Sequence, residues 1–328
     1  MSTPVAPAEH RCGPLAVDLA GGRGPELERA RLTLEIYSPA WDACPGRYRL
    51  EMVAGAPHSG MSAGSWLRTA RMHVDATATG MRATCLSGSD VSFDRASGRW
   101  QISLPPGPVD IWRLTDVEHM LSLVLTTGWR ELGWVPVHAG TVTRDGTCAI
   151  LCAPSGGGKT TFTTALVRRG WGSLGDDKLL LRCRDRAPPV LRALIHSLNL
   201  FPHSVRWFPE LERIEELPAY SVWTDKRRVP MEWIREGSAR VEATPTHVVR
   251  VTRLEGAKGV RVSHLDGSET LDLLMRQTVI PADRALARAI VGAVGRTAAL
   301  VRGLAVEIGD DAYDDPRHLA AFEEAVLG

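Results

Sequence analysis

Between Leu151 and Thr161 the chain reads Leu-Cys-Ala-Pro-Ser-Gly-Gly-Gly-Lys-Thr-Thr, a composition suited to wrapping a polyphosphate. Glycines at 156, 157 and 158 let the backbone turn its N–H groups inward with no Cβ in the way. Lys159 supplies a compact positive charge for the outer phosphates, and the Thr160 hydroxyl can ligate Mg²⁺. Pro154, Ser155, Gly156, Gly157, Gly158, Lys159, Thr160 and Thr161 are therefore the expected nucleotide-binding residues, in a P-loop of Walker A type. The flanks fit this reading: residues 147–152 are apolar and strand-like, and residues 160–169 have helical spacing and stop at Gly170. A phosphate would then meet a helix N-terminus, where free N–H groups and the dipole favour an anion. One position departs. The pattern G-x-x-x-x-G-K-[ST] has Gly where Ala153 stands, which is tolerable if φ there is negative. The plainer alternative, a glycine-rich turn with a chance lysine, does not explain why strand, loop, Lys-Thr and helix follow in the required order.

Two further motifs bracket the loop. Asp176 and Asp177 begin seventeen residues after Lys159, just before the apolar run 178–183, and His138 lies twenty-one residues before it. In an ordinary P-loop ATPase the metal-binding acid follows an apolar strand; here the acids precede one. A lysine with an upstream histidine and a downstream acid pair suggests a compact site with a phosphate binder, metal ligands and a base. The plain readings are a solvated turn for the acids and a core histidine for His138. Lys226, Arg227 and Arg228 form a basic run that is either solvated surface or a grip on an anionic group. His196, Asn199 and His203 could line a substrate groove, although Phe201, Trp207 and Phe208 around them look like packing.

The elements that must position these residues can be read from periodicity. Residues 1–28, rich in Pro, Gly and Ala, read as a flexible tail, and residues 29–114 as a β-rich region. Alternation at Leu32, Leu34 and Ile36, at Tyr48, Leu50 and Met52, and at Met72, Val74 and Ala76 predicts half-buried strands. Residues 56–65 read as a small-residue loop, and Val91 to Leu104 as a hairpin ended by Pro105, Pro106 and Pro108. Thr115 to Glu118 has the form of a capping box opening a helix over 116–130. Residues 134–143 read as one strand carrying His138, turned at Asp145-Gly146 into the strand before the loop. Beyond the acid pair come a strand over 178–183, a segment from 195 to 240 with no sustained period, and a strand near 246–254. Helices over 269–277, 282–301 and 318–326, with a strand over 304–308, close the chain. Residues 115–328 thus form the expected catalytic domain.

Composition bounds the partners. With 328 residues, 44% hydrophobic and 23% charged, the chain can bury a large core. A net charge of +1 gives no electrostatic reason to expect nucleic acid or a membrane surface as a general partner. No apolar run approaches the roughly 18 residues of a membrane span, and the first ten residues lack the basic start and apolar core of a signal peptide. Six scattered cysteines without a Cys-x-x-Cys pair argue against zinc or a disulfide framework and for a reducing cytoplasm.

Over about residues 134 to 184 the sequence resembles the catalytic domain of the HPr kinase/phosphorylase family. The match consists of Val137-His138-Ala139-Gly140, the loop from Ala153 to Thr160, the helix ending Arg168-Arg169-Gly170, and Asp176-Asp177, in similar order and spacing. The resemblance implies an α/β fold, with a mixed, curved β-sheet around the P-loop and flanking helices. It implies a kinase that moves the γ-phosphate of ATP, with Mg²⁺, to a serine (or threonine) hydroxyl of a protein or peptide. It gives Asp176 the role of general base, gives Asp177 with Thr160 the metal, and sets His138 beside the base to orient it. Family relatives form homo-oligomers, but no interface is readable here.

The departures narrow this. The family's glycine-rich downstream segment, associated with the reverse phosphorylase activity, is missing, and the N-terminal third does not look like the regulatory domain of the bifunctional enzymes. The chain looks closer to smaller HPr-kinase-like proteins of peptide-tailoring pathways, such as kinases of lasso peptides, whose acceptor is a ribosomal peptide precursor. Two other functions stay open: a small-molecule kinase on the same framework, and a nucleotide-binding regulator without catalysis.

Overall fold

The computed structural model describes residues 8–37, 41–55, 67–69, 71–76, 79–184, 187–309 and 311–328; the small-residue loop read at 56–65 lies outside them. The chain is mixed α/β, with several sheets and seven α-helices among the described residues. It divides into two compact units: Met1–Leu132 with Ser221–Trp223 and Pro281–Arg284, and Gly133–Tyr220 with Thr224–Ile280 and Ala285–Gly328. The division places the helix read at 116–130, which the sequence assigned to the catalytic domain, in the first unit.

In the first unit the chain runs β1 (Ala8–Cys12), β2 (Leu15–Gly21), α1 (Gly24–Glu35), β3 (Gly46–Ala54), β4 (Leu67–Arg68), β5 (Met72–Ala76), β6 (Gly80–Cys85), β7 (Asp90–Asp94), β8 (Arg99–Leu104) and α2 (Ile111–Glu131). The strands make one sheet in the order β1-β2-β3-β8-β7-β6-β5-β4. Three expectations are corrected here. The predicted tail holds two paired strands, because Leu15, Val17 and Leu19 are buried. Its glycines serve turns: Gly13, Gly21, Gly22 and Gly24 all have positive φ. Residues 32–36 are not a strand. The buried set Leu27, Ala30 and Leu34 recurs at helical spacing on α1, while Leu32 is exposed. Fully burying one leucine such as Leu34 is worth about 1.5–3 kcal/mol, enough to override a three-residue alternation. Helix α2 starts a turn before the expected capping box, because the Asp110 carboxylate accepts from Arg113 N at 2.8 Å and already caps it.

Apart from Ser221 and Arg284, end residues counted with the first unit, the second unit contains β9 (Val135–Val137), β10 (Gly140–Arg144), β11 (Thr147–Cys152), α3 (Lys159–Arg168), β12 (Leu179–Arg182), β13 (Val190–Ala193), β14 (Ser197–Leu200), β15 (Ala219–Ser221), β16 (Thr224–Pro230), α4 (Met231–Ile234), β17 (Glu242–Ala243), β18 (His247–Arg253), β19 (Val260–Leu265), α5 (Gly267–Met275), α6 (Arg284–Leu300), β20 (Arg302–Ile308) and α7 (Ala320–Leu327). Its sheets have the orders β10-β11-β18-β20-β19, β17-β13-β12-β9 and β14-β16-β15. The last of these, built from residues 197–200, 219–221 and 224–230, shows that segment 195–240, irregular by period, carries strands of its own. The strand read over 134–143 is broken at His138-Ala139: β9 pairs with β12, and β10 pairs with β11 in another sheet. Asp145 (φ 51°) and Gly146 (φ 79°) make the turn between β10 and β11, the left-handed pair that such hairpins need. Two apolar clusters fill the unit, one around Leu151, Phe162, Trp171 and Phe322, the other around Ile150, Leu179, Leu181 and Val294.

Candidate active site

Strand β11 runs parallel to β18, so their carboxyl ends lie at one edge of the sheet. The chain leaves β11 at Cys152 and reaches α3 through residues 153–158. Gly157 N donates to Pro154 O at 3.0 Å and closes the loop's first turn. Gly156 (φ 79°) and Gly158 (φ 88°) take left-handed conformations that a side chain would strain. Ala153 is not so placed, since Asp145 alone among described non-glycine residues has positive φ. That removes the objection to alanine at this position. A Cβ on Gly157 would stand 3.0 Å from the Ala153 methyl, so the two form a close pair. Gly158 is the N-cap of α3 and offers no side-chain cap, leaving the first N–H groups of the helix to another acceptor.

Glycine at 140 draws three pieces together. A Cβ there would lie 2.9 Å from Thr163 Oγ1, 3.3 Å from Lys159 Cγ and 3.5 Å from Asp176 Cα. Segment 172–175 is tied to β10 by Thr143 N to Gly172 O (2.8 Å), Thr141 N to Gly175 O (2.9 Å) and Leu174 N to Thr141 Oγ1 (2.9 Å). Gly175 (φ 140°) then turns the chain where a Cβ would meet Ile195 O at 2.8 Å.

The result is a hydrogen-bonded chain of functional groups. Lys159 Nζ is 3.0 Å from His138 Nε2, and His138 Nδ1 is 3.0 Å from Asp177 Oδ1. An ammonium only donates, so Nε2 accepts and the ring proton sits on Nδ1, facing the carboxylate. The Tyr220 hydroxyl donates to Asp177 Oδ2 at 2.6 Å. Asp176 is almost wholly buried; it accepts from Asn199 N (3.0 Å), Asn199 Nδ2 (3.3 Å) and the Thr160 hydroxyl.

The neighbouring acids are driven apart. Burial, then the Asp177 charge, lifts the Asp176 carboxyl above the ordinary range, against the pull of its donors. For Asp177 burial acts the same way but is outweighed by the His138 hydrogen bond, Lys178 and Tyr220, and the group is held well below that range. Burial lowers the pKa of Lys159, opposed by Asp177 and Asp176. Burial pushes the Cys152 thiol up to about 12, so it offers no thiolate.

Among the residues singled out by sequence, His138, Lys159, Thr160, Asp176 and Asp177 come together, although Thr160 contacts Asp176 and His138 contacts Asp177. The basic run divides: Arg227 donates to Leu217 O and Arg228 to Ala219 O (both 3.4 Å). The charge of Lys226 acts on Lys159. His203 stacks on Phe201, and both rings are exposed. Asn199, read from the sequence as a residue that could line a substrate groove, donates instead to Asp176; Tyr220 has no sequence signal at all.

No family model matches the chain, and no curated protein matches it. Among solved structures it is similar to the Hpr(Ser) kinase/phosphatase from Coxiella burnetii, at 9% identity and a TM-score of 0.31, over 59% of this chain and 99% of that one. This is a weak likeness of fold.

Proposed function

We propose that the chain is an ATP- and Mg²⁺-dependent phosphotransferase that moves the γ-phosphate to a serine (or threonine) hydroxyl of a protein or peptide. The observation that carries this reading is the pair of adjacent carboxylates with opposed acidities beside a buried lysine at an uncapped helix N-terminus. Paired groups whose environments push their pKa values apart are suited to separate roles.

Asp176, whose carboxyl burial lifts above the ordinary range, is the base: it takes the hydroxyl proton as that oxygen attacks the γ-phosphorus and the bond to the β–γ bridging oxygen breaks. Asp177, kept ionised, is fit for a cation. Magnesium is commonly bound through one or two carboxylates plus substrate phosphates. Thr160 and Asp177 would hold it, and it would neutralise charge on the β- and γ-phosphates. Lys159 and the N–H groups of the loop stabilise the charge spread over the transferred group. His138, bridging Lys159 and Asp177, fixes their separation. The resemblance to HPr kinase-like proteins favours a peptide acceptor, a ribosomal peptide precursor in particular.

The test uses labelled ATP with Mg²⁺ and candidate peptides. Lys159→Ala should lose nucleotide affinity; Asp176→Asn should keep it and lose transfer. Unchanged transfer in Asp176→Asn sinks the base assignment, and unchanged affinity in Lys159→Ala sinks the loop assignment.

A further inference from the structure

We infer that the nucleoside half of the nucleotide lies in the cleft between the start of the phosphate loop and the projecting end of β18. Arg253 would stand where the nucleoside joins the phosphates. This rests on the phosphotransferase reading above.

The cleft follows from the sheet. The register of β11 with β18 ends at Cys152 opposite Arg250, yet β18 continues through Val251, Thr252 and Arg253 while the other strand gives way to the loop. At about 3.3 Å per residue this leaves a ledge of roughly 10 Å beside the loop. Pro154, Gly156, Gly157, Val251, Thr252, Arg253 and Glu255 enclose an open volume of about 410 Å³. Small-molecule sites occupy roughly 300–1,000 Å³, and in open α/β sheets they lie outside the carboxyl ends of strands. Pro154 offers apolar surface to a planar base, while Thr252, Arg253 and Glu255 offer polar groups to its edge and to the ribose.

The direction of the ligand is constrained as well. In the phosphotransferase reading Lys159 and Asp176, both on the far side of Gly158 from the cleft, mark the γ-phosphate end. A linear triphosphate laid across the helix N-terminus then leaves toward the loop's first residues, where the cleft opens. Arg253 Cβ is 3.9 Å from where a Gly158 Cβ would be, so this residue spans cleft and helix N-terminus. Its guanidinium can contact the innermost phosphate or stack on the base.

The experiment is calorimetry of the full chain with Mg–ATP and, separately, Mg–tripolyphosphate, which has the phosphates and no nucleoside. Thr252 is exposed, so Thr252→Trp fills the cleft without disturbing the core. It should weaken ATP at least about tenfold and leave tripolyphosphate within about twofold, a difference of roughly 1.4 kcal/mol or more. Thr252→Phe, a smaller and uncharged obstruction at the same exposed position, should act in the same direction. Equal weakening of both ligands, or of neither, by both variants overturns the cleft assignment. A wild-type chain that binds neither polyanion overturns the phosphotransferase reading beneath it.

Discussion

In the N-terminal unit Arg29 meets Glu118 at 2.5 Å, Arg113 meets Glu26 at 2.8 Å and Arg71 meets Asp116 at 2.9 Å. Each acid is nearly enclosed, and each has a guanidinium against it. Ser221 and Val222 add donors to Glu118, and Ser87 N adds one to Asp116. In the other unit the buried acids are neighbours in the chain. Asp177 is linked to Lys159 through His138, while Asp176 has only uncharged donors against it and is left harder to ionise than an ordinary aspartate. Charge matched pair by pair is complete without a ligand and belongs to the architecture. Charge left mismatched is poised for something else to enter, and here that is the anionic, metal-bound substrate proposed above.

Mutations can break this contrast. The largest effect is expected from Asp176→Asn, with transfer falling by about 10²–10⁴-fold, the usual worth of a general base. Because the folded chain holds the Asp176 proton to higher pH than the unfolded chain, ionisation costs stability as pH rises through the raised value. The variant should therefore unfold at higher temperature than wild type at pH 8, with the gap closing below the ordinary aspartate range; a loss of stability at pH 8 would place Asp176 with the matched pairs. Glu118→Ala should do the reverse, costing about 3–5 kcal/mol by stranding Arg29. Denaturant melts should show that loss while transfer per folded molecule is unchanged. Replacing Arg29 and Glu118 together by Met and Leu should recover most of it.

Smaller effects sharpen the boundary of the mismatched group. Lys226, whose ammonium lies 5.2 Å over the Phe201 ring and whose charge acts on Lys159, is the member of the basic run expected to grip an anionic group: Lys226→Gln should lower transfer roughly tenfold, about 1.5 kcal/mol, while Arg227→Gln should leave it unchanged. Tyr220→Phe removes a donor that holds Asp177 ionised. Its cost, about 1 kcal/mol, should be present at neutral pH and shrink as pH falls below 3.8, the ordinary aspartate value. A pH-independent loss in melts would mean that the hydroxyl serves packing alone.

What could be read in the sequence was local. The strands β3, β5, β7 and β8 show their period of two directly, and the run from β11 through the loop to α3 is contiguous. Helix α1 was misread because three alternating apolar residues mimic a strand, while the helical set Leu27, Ala30 and Leu34 begins among glycines. The start of α2 was missed because Thr115-to-Glu118 spacing looks like a cap, yet Glu118 is drawn to Arg29. Asn199 reaches Asp176 across 23 residues and Tyr220 reaches Asp177 across 43, separations on which periodicity carries no information.

The break at His138-Ala139 has a consequence in time. With β9 in one sheet and β10 in another, the histidine can meet both Lys159 and Asp177 only once both sheets have closed. His138 N is also held by Gln277 O at 2.8 Å, and β11 waits for β18, which lies almost a hundred residues further on. Contacts so distant in sequence form late. On a ribosome adding about 5–20 residues per second, the loop and its lysine are made several seconds before the strands that align them. The growing chain thus cannot assemble this cluster of side chains until its C-terminal third has emerged.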